Sequence, residues 1–154
     1  MVLQVLNGFF ILLLILIGRI DYKYRKIPNG LIILLWGIGI LAGIVSREPD
    51  WILRLAGMFA VSLPLFLIVL AFPGSIGGGD IKLMAAGGMF LGMKLIFLSF
   101  ILALAGCGMW CAAGLASGRL RRKEKFALGP FLCAGMAACV FWGEKLWKWF
   151  AALL

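Results

Sequence analysis

Apolar residues fill this chain in six long stretches separated by short polar breaks. The stretches run from about Val2 to Ile20, Gly30 to Val45, Trp51 to Phe72, Ile81 to Met93, Leu95 to Ser117 and Phe126 to Trp142. The breaks read "DYKYRKIPN", "SREPD", a glycine-rich loop before Ile81, and "GRLRRKEK". A helix needs about 20 predominantly apolar residues to cross a bilayer, and most of these stretches approach or reach that length. The pattern predicts an all-α, polytopic membrane protein of about six transmembrane helices. Residues 1–154 form a single integral membrane domain, with no long polar segment to hold a soluble one. The tail "GEKLWKWFAALL" mixes Trp, Lys and Leu, as a segment lying in the membrane interface does.

The fourth stretch is short. A dozen helical residues rise only about 18 Å, against about 30 Å of hydrocarbon. Charge decides whether it crosses. Arg19, Lys23, Arg25 and Lys26 form one basic loop; Arg119, Arg121, Arg122, Lys123 and Lys125 form another. The positive-inside rule puts both in the cytoplasm, so the crossings between them must be even in number. Stretches two to five satisfy this only if the short one crosses. The expected topology has both termini outside. The N-terminal "MVLQVLNGFFILLLILIG" has no basic region before it and no cleavage site after it, so the first helix is expected to stay in place.

Composition narrows the chemistry. Of 154 residues, 64% are hydrophobic, too many for a soluble domain to hide. The formal net charge of +9 comes from basic residues at the ends of apolar stretches. Membrane topology and anionic lipid headgroups account for it, and nucleic acid is not expected as a partner. Histidine is absent, which removes Ser-His and Cys-His pairs and histidine-ligated metals. Cys107, Cys111, Cys133 and Cys139 lie inside apolar stretches without a C-x-x-C spacing, and read as packing residues. No metal and no cofactor is expected. Small residues at spacing four, Gly39 and Gly43, Gly88 and Gly92, Gly114 and Gly118, suit close helix packing.

The six acids sort by topology. Glu48 and Asp50 fall in an outer loop, Glu124 among basic residues, and Glu144 in the tail. Asp21 and Asp80 each abut an apolar stretch at its cytoplasmic end, so the topology puts them at one depth. An N-cap role explains Asp80 locally, since "GGGD" before "IKLMAAGGMF" reads as a loop entering a helix. Asp21 has less local reason, because an acid after a helix C-terminus opposes the dipole. Two carboxylates at one depth suit general acid–base chemistry, in which a close pair keeps one proton. By the same dipole argument Asp80 is expected to be the ionised base and Asp21 the protonated acid.

Gly77, Gly78 and Gly79 have no side chains and let an extended substrate backbone approach; the plain alternative is a simple loop. Lys82 is an interfacial anchor or a substrate contact, Pro28 opens the second helix, and Asn29 orients the loop after Asp21. Tyr22 and Tyr24 are headgroup-level aromatics.

At these residues a resemblance emerges. "GGGDIKL" resembles the glycine–aspartate motif of the prepilin peptidases, a family of intramembrane aspartic proteases. "DYKYRKIPN" is similar to that family's first motif, and "FALGPFLCAG" to its late Gly-Pro-Phe segment, with Gly129 and Pro130 as structural support. A proline often seen before the family's Gly-Pro is missing here, and Ala127 stands near that place. The resemblance implies that Asp21 and Asp80 are the catalytic pair. It implies prepilins or pseudopilins as substrates, cleaved after a short basic leader at the cytoplasmic face of the inner membrane. Longer members carry an N-terminal cysteine-paired zinc region tied to methyl transfer. This chain resembles the compact peptidases of tight-adherence pilus systems or of certain secretion systems, and methyltransferase activity is not expected. Two rival readings stay open: an archaeal preflagellin-type peptidase, and a small transporter or channel subunit whose aspartates bind cations. The oligomeric state is open too, a homo-oligomer included.

Overall fold

A computed structural model of the chain describes residues 1–46, 48–74, 76–117 and 127–152. Within them the chain forms five helices and no strand: α1 (Val2–Tyr24), α2 (Asn29–Val45), α3 (Trp51–Ala71), α4 (Gly78–Ala116) and α5 (Gly129–Ala152). The second basic loop, with Glu124 and Gly118, lies outside the described residues. By length and composition α1, α3 and α4 can each cross a membrane, and α2 is a shorter apolar helix.

The 39 residues of α4 make two arms rather than one rod, because Gly92 has φ 76° and ψ 174°. Met136 on α5 packs against Gly87, while the neighbouring Gly135 packs against Ser99. Residues 12 apart on one continuous helix would be about 18 Å apart. The chain therefore doubles back at Gly92, and the second arm runs antiparallel to α5, with Gly143 on Leu95 and Gly106 on Phe131. The expected six segments are present, but the fourth and fifth join through a single residue. The first arm, residues 78–91, rises only about 21 Å. Its far end is covered by the α2–α3 loop, where a Cβ on Gly92 would lie 2.6 Å from Pro49 Cγ.

This first arm is the hub of the fold. Leu83, Met84, Ala86 and the run from Gly87 to Gly92 are all buried. Helices α2, α3 and α5 pack on α4, and α1 packs on α2 and α5. Glycines make the approaches close: Gly39 faces Met89, Gly88 meets the Gly57 carbonyl, and a Cβ on Gly57 would lie 2.6 Å from the Gly92 carbonyl carbon. Phe10 of α1 stacks on Phe90, with ring centroids 4.0 Å apart.

The tail is helical and continuous with the sixth stretch, since α5 runs unbroken to Ala152. Leu146, Trp147 and Phe150 recur at helical spacing and pack on the core.

Candidate active site

The first motif straddles a helix end. Expected to stop near Ile20, α1 runs to Tyr24, so Asp21 sits inside its last turn. The helix closes where Arg25 turns left-handed (φ 52°) and its N–H donates to the Asp21 carbonyl at 2.8 Å. Pro28, extended at ψ 129°, is the N-cap of α2 rather than its first helical residue. Its carbonyl accepts from the N–H groups of Leu31 and Ile32.

The second motif begins α4. Gly77 is the N-cap, and Gly78 and Gly79 already belong to the helix, so two of the three consecutive glycines lie in its first turn rather than in the expected loop. Asp80 is the third helical residue, not the cap. From there its carboxylate reaches back to the Gly77 backbone N–H, the reciprocal half of a capping box. The missing side chain at Gly77 leaves that space open, since a Cβ there would lie 3.2 Å from Asp80 Oδ2.

The two motifs clasp each other. Ile27 packs on Gly79, where a Cβ would meet the Ile27 Cβ at 3.0 Å. Lys82 Nζ donates to Asn29 Oδ1 at 3.2 Å. Asn29 therefore ties the first loop to the first turn of α4, and Lys82 has a partner within the protein. Through this clasp Asp21 and Asp80, 59 positions apart, come close enough for their charges to interact.

The late motif completes the arrangement. α5 starts at Gly129, whose backbone N–H serves the Asp21 carboxylate. A Cβ on Gly129 would overlap that carboxylate. Asp21 therefore lies at the N-terminus of one helix as well as near the C-terminus of another. The helix-end contrast expected between the two acids is therefore reduced: Asp21 keeps its place in the last turn of α1 but also faces the N-terminus of α5.

Burial separates these acids from the other acids among the described residues. Asp21 is 6% exposed and Asp80 8%. Glu48, Asp50 and Glu144 are exposed. A carboxylate held out of water in an apolar bundle is costly unless partnered, and membrane-embedded acids mark function by default. Tyr22 and Tyr24 point outward, 78% and 63% exposed. Among the described residues no cluster of three His, Cys, Asp or Glu side chains could hold a metal ion. A groove of about 370 Å³ runs along the α1–α5 seam, lined by Leu14, Gly18, Arg19, Tyr22, Pro130 and Cys133. Cys133, 4% exposed, interacts with both aspartates.

Ile27 stood within the first motif, but with no role of its own. Arg54 escaped the sequence reading although it gave a signal: it is an arginine inside the third apolar stretch, where a charge needs a reason.

The profile of the type IV leader peptidase family matches residues 8–112, which include both aspartates. The chain belongs to that family. It is 31% identical over 137 residues to the prepilin leader peptidase/N-methyltransferase of Bacillus subtilis (strain 168), covering 89% of this chain and 55% of that one. It is 32% identical over 143 residues to the protein of the same name from Burkholderia pseudomallei (strain 1026b), covering 87% and 45%. With the Legionella pneumophila protein of that name it shares 30% over 146 residues, covering 90% and 50%. The chain thus spans about half the length of the curated relatives it matches. No solved structure matches it.

Proposed function

We propose that the chain is an intramembrane aspartic endopeptidase that removes the leader peptide from type IV prepilins or pseudopilins. The observation that carries the reading is the pair of buried carboxylates, Asp21 and Asp80, gathered from the ends of two helices. Membership of the leader peptidase family and the names of the relatives support the substrate class.

One carboxylate takes a proton from water as the water oxygen attacks the scissile carbonyl carbon. The other, protonated, hydrogen-bonds the carbonyl oxygen. A proton then passes to the leaving nitrogen as the C–N bond breaks. The pair can do this because two close carboxylates resist full ionisation and hold one proton between them. The bare first turn at Gly77 and Gly78, both exposed, leaves backbone open for an extended substrate segment. The α1–α5 groove offers an apolar substrate segment a place beside the pair. The site faces the cytoplasm in this reading, in a multi-pass protein of the inner membrane, with both basic loops on that side.

The test is cleavage in membranes. A candidate prepilin is co-expressed with wild type, Asp21→Asn, Asp80→Asn and, as control, Asp50→Asn. Processing should vanish in the first two alone, with all variants equally abundant. Undiminished processing by either removes that residue from catalysis. If wild type also leaves the prepilin intact, cation transport becomes the better reading and ion flux in liposomes tests it.

A further inference from the structure

Arg54 is the largest fully buried side chain, 2% exposed within the described residues. Its contacts are backbone carbonyls. Nη1 donates to Met89 O at 3.1 Å and to Phe90 O at 3.0 Å. Nε donates to Pro49 O at 2.9 Å, and Nη2 to Glu48 O at 3.2 Å. A guanidinium has five N–H donors, so four of five are committed.

The break at Gly92 explains why these carbonyls need a donor. A helix leaves its last four carbonyls without intrahelical partners. The first arm of α4 ends at Leu91 inside the bundle, away from water, so its carbonyls are orphaned in an apolar setting. Arg54 supplies hydrogen bonds and a positive charge at the negative end of the arm. The same fork holds the α2–α3 loop over the break.

The other end of this arm carries Asp80, nine residues from Met89, or about 14 Å along the helix. At Gly57 and Gly88 the arm lies backbone to backbone on α3, so it cannot shift sideways there. A stiff arm fixed at one end is aimed at the other. We propose that Arg54 is a positioning residue for the candidate catalytic pair: by capping the broken end of the first arm it aims Asp80 at Asp21. This rests on the aspartic peptidase reading above.

The experiment uses full-length enzyme in detergent micelles with a leader-bearing substrate, and Arg54→Met and Arg54→Lys variants. A parallel set has Cys107, Cys111 and Cys139 replaced by alanine, in a background that cleaves as wild type does. Its remaining Cys133 is buried, 4% exposed, within reach of the charges of both aspartates. In Arg54→Met, kcat should fall about 100-fold with KM within about threefold, the cost of misplacing a catalytic group by about 1 Å. Maleimide labelling of Cys133 should quicken as the arm loosens. Arg54→Lys keeps the charge but not the planar fork, and should lose about 10-fold in kcat with intermediate labelling. An unchanged kcat, an effect confined to KM, or unchanged Cys133 labelling in Arg54→Met would overturn the proposal. If Arg54→Met fails to accumulate, Arg54→Lys decides alone, and wild-type kcat and labelling there overturn it. Asp21→Asn runs alongside: retained cleavage sinks the catalytic reading, while labelling still reports whether Arg54 holds the arm.

Discussion

Replacing Gly129 by alanine tests the site at its tightest point. The new Cβ would fall 2.8 Å from Asp21 Cγ and 3.2 Å from its Cβ, and closer still to Oδ2. Carbon atoms in contact settle at about 3.5–4.0 Å, so the aspartate or the start of α5 must yield by about 1 Å. Overpacking of this kind costs about 1–3 kcal/mol of stability. Stability alone lowers abundance and leaves the rate per folded molecule intact. Displacing a carboxylate by about 1 Å lowers that rate by about 100-fold. The assay is cleavage of a leader-bearing substrate, normalised to protein that remains monodisperse in detergent. Gly37→Ala is the control, since nothing lies within 4 Å of a Cβ there. It should leave the rate unchanged and add about 0.5–1 kcal/mol of stability, as alanine for glycine in a helix does. Wild-type cleavage by Gly129→Ala at wild-type abundance would refute the reasoning, because Asp21 would then not need the seat that Gly129 provides.

Three more tests bear on the same site. Gly79→Ala pushes a Cβ to 3.0 Å from the Ile27 Cβ, and the overpacking should slow cleavage about 10-fold, an effect of about 1.4 kcal/mol. Ile27→Ala in the same chain should restore part of it, measured as a double-mutant cycle; additive losses would show that the two residues do not press on each other. Gly78→Ala meets nothing within 4 Å, so intact protein with lost cleavage there would point to a substrate backbone lying on that turn. The pH–rate profile of kcat/KM should be bell-shaped, because a shared proton requires one carboxylate ionised and one not. Activity falls on the acid side as both become protonated and on the basic side as both ionise, and the two limbs belong to the pair. A profile with a single limb would argue against joint action.

The membrane class and the helix order were legible in the sequence because both depend on local properties. A run of apolar residues must leave water whatever its neighbours do, and charge clusters set the ends of the runs. The special standing of Asp21 and Asp80 was legible for a similar reason: the other four acids had polar surroundings along the chain. Local rules stop short where a partner distant in sequence adds to the setting. Dipole reasoning split the two acids by their own helices, but α5 brings a second N-terminus to Asp21. Lys82 read as an interfacial anchor or a substrate contact, and no local rule foretold its hydrogen bond to Asn29, 53 positions away, at 3.2 Å. Gly88 and Gly92 announced close packing without saying against what. Both meet the backbone of Gly57 on α3, and Arg54 donates to the carbonyls at the end of the arm they seat. Hydropathy and charge are summed along the chain. The meeting of two carboxylates depends on which backbones can approach to van der Waals contact, and that is decided only when the helices pack.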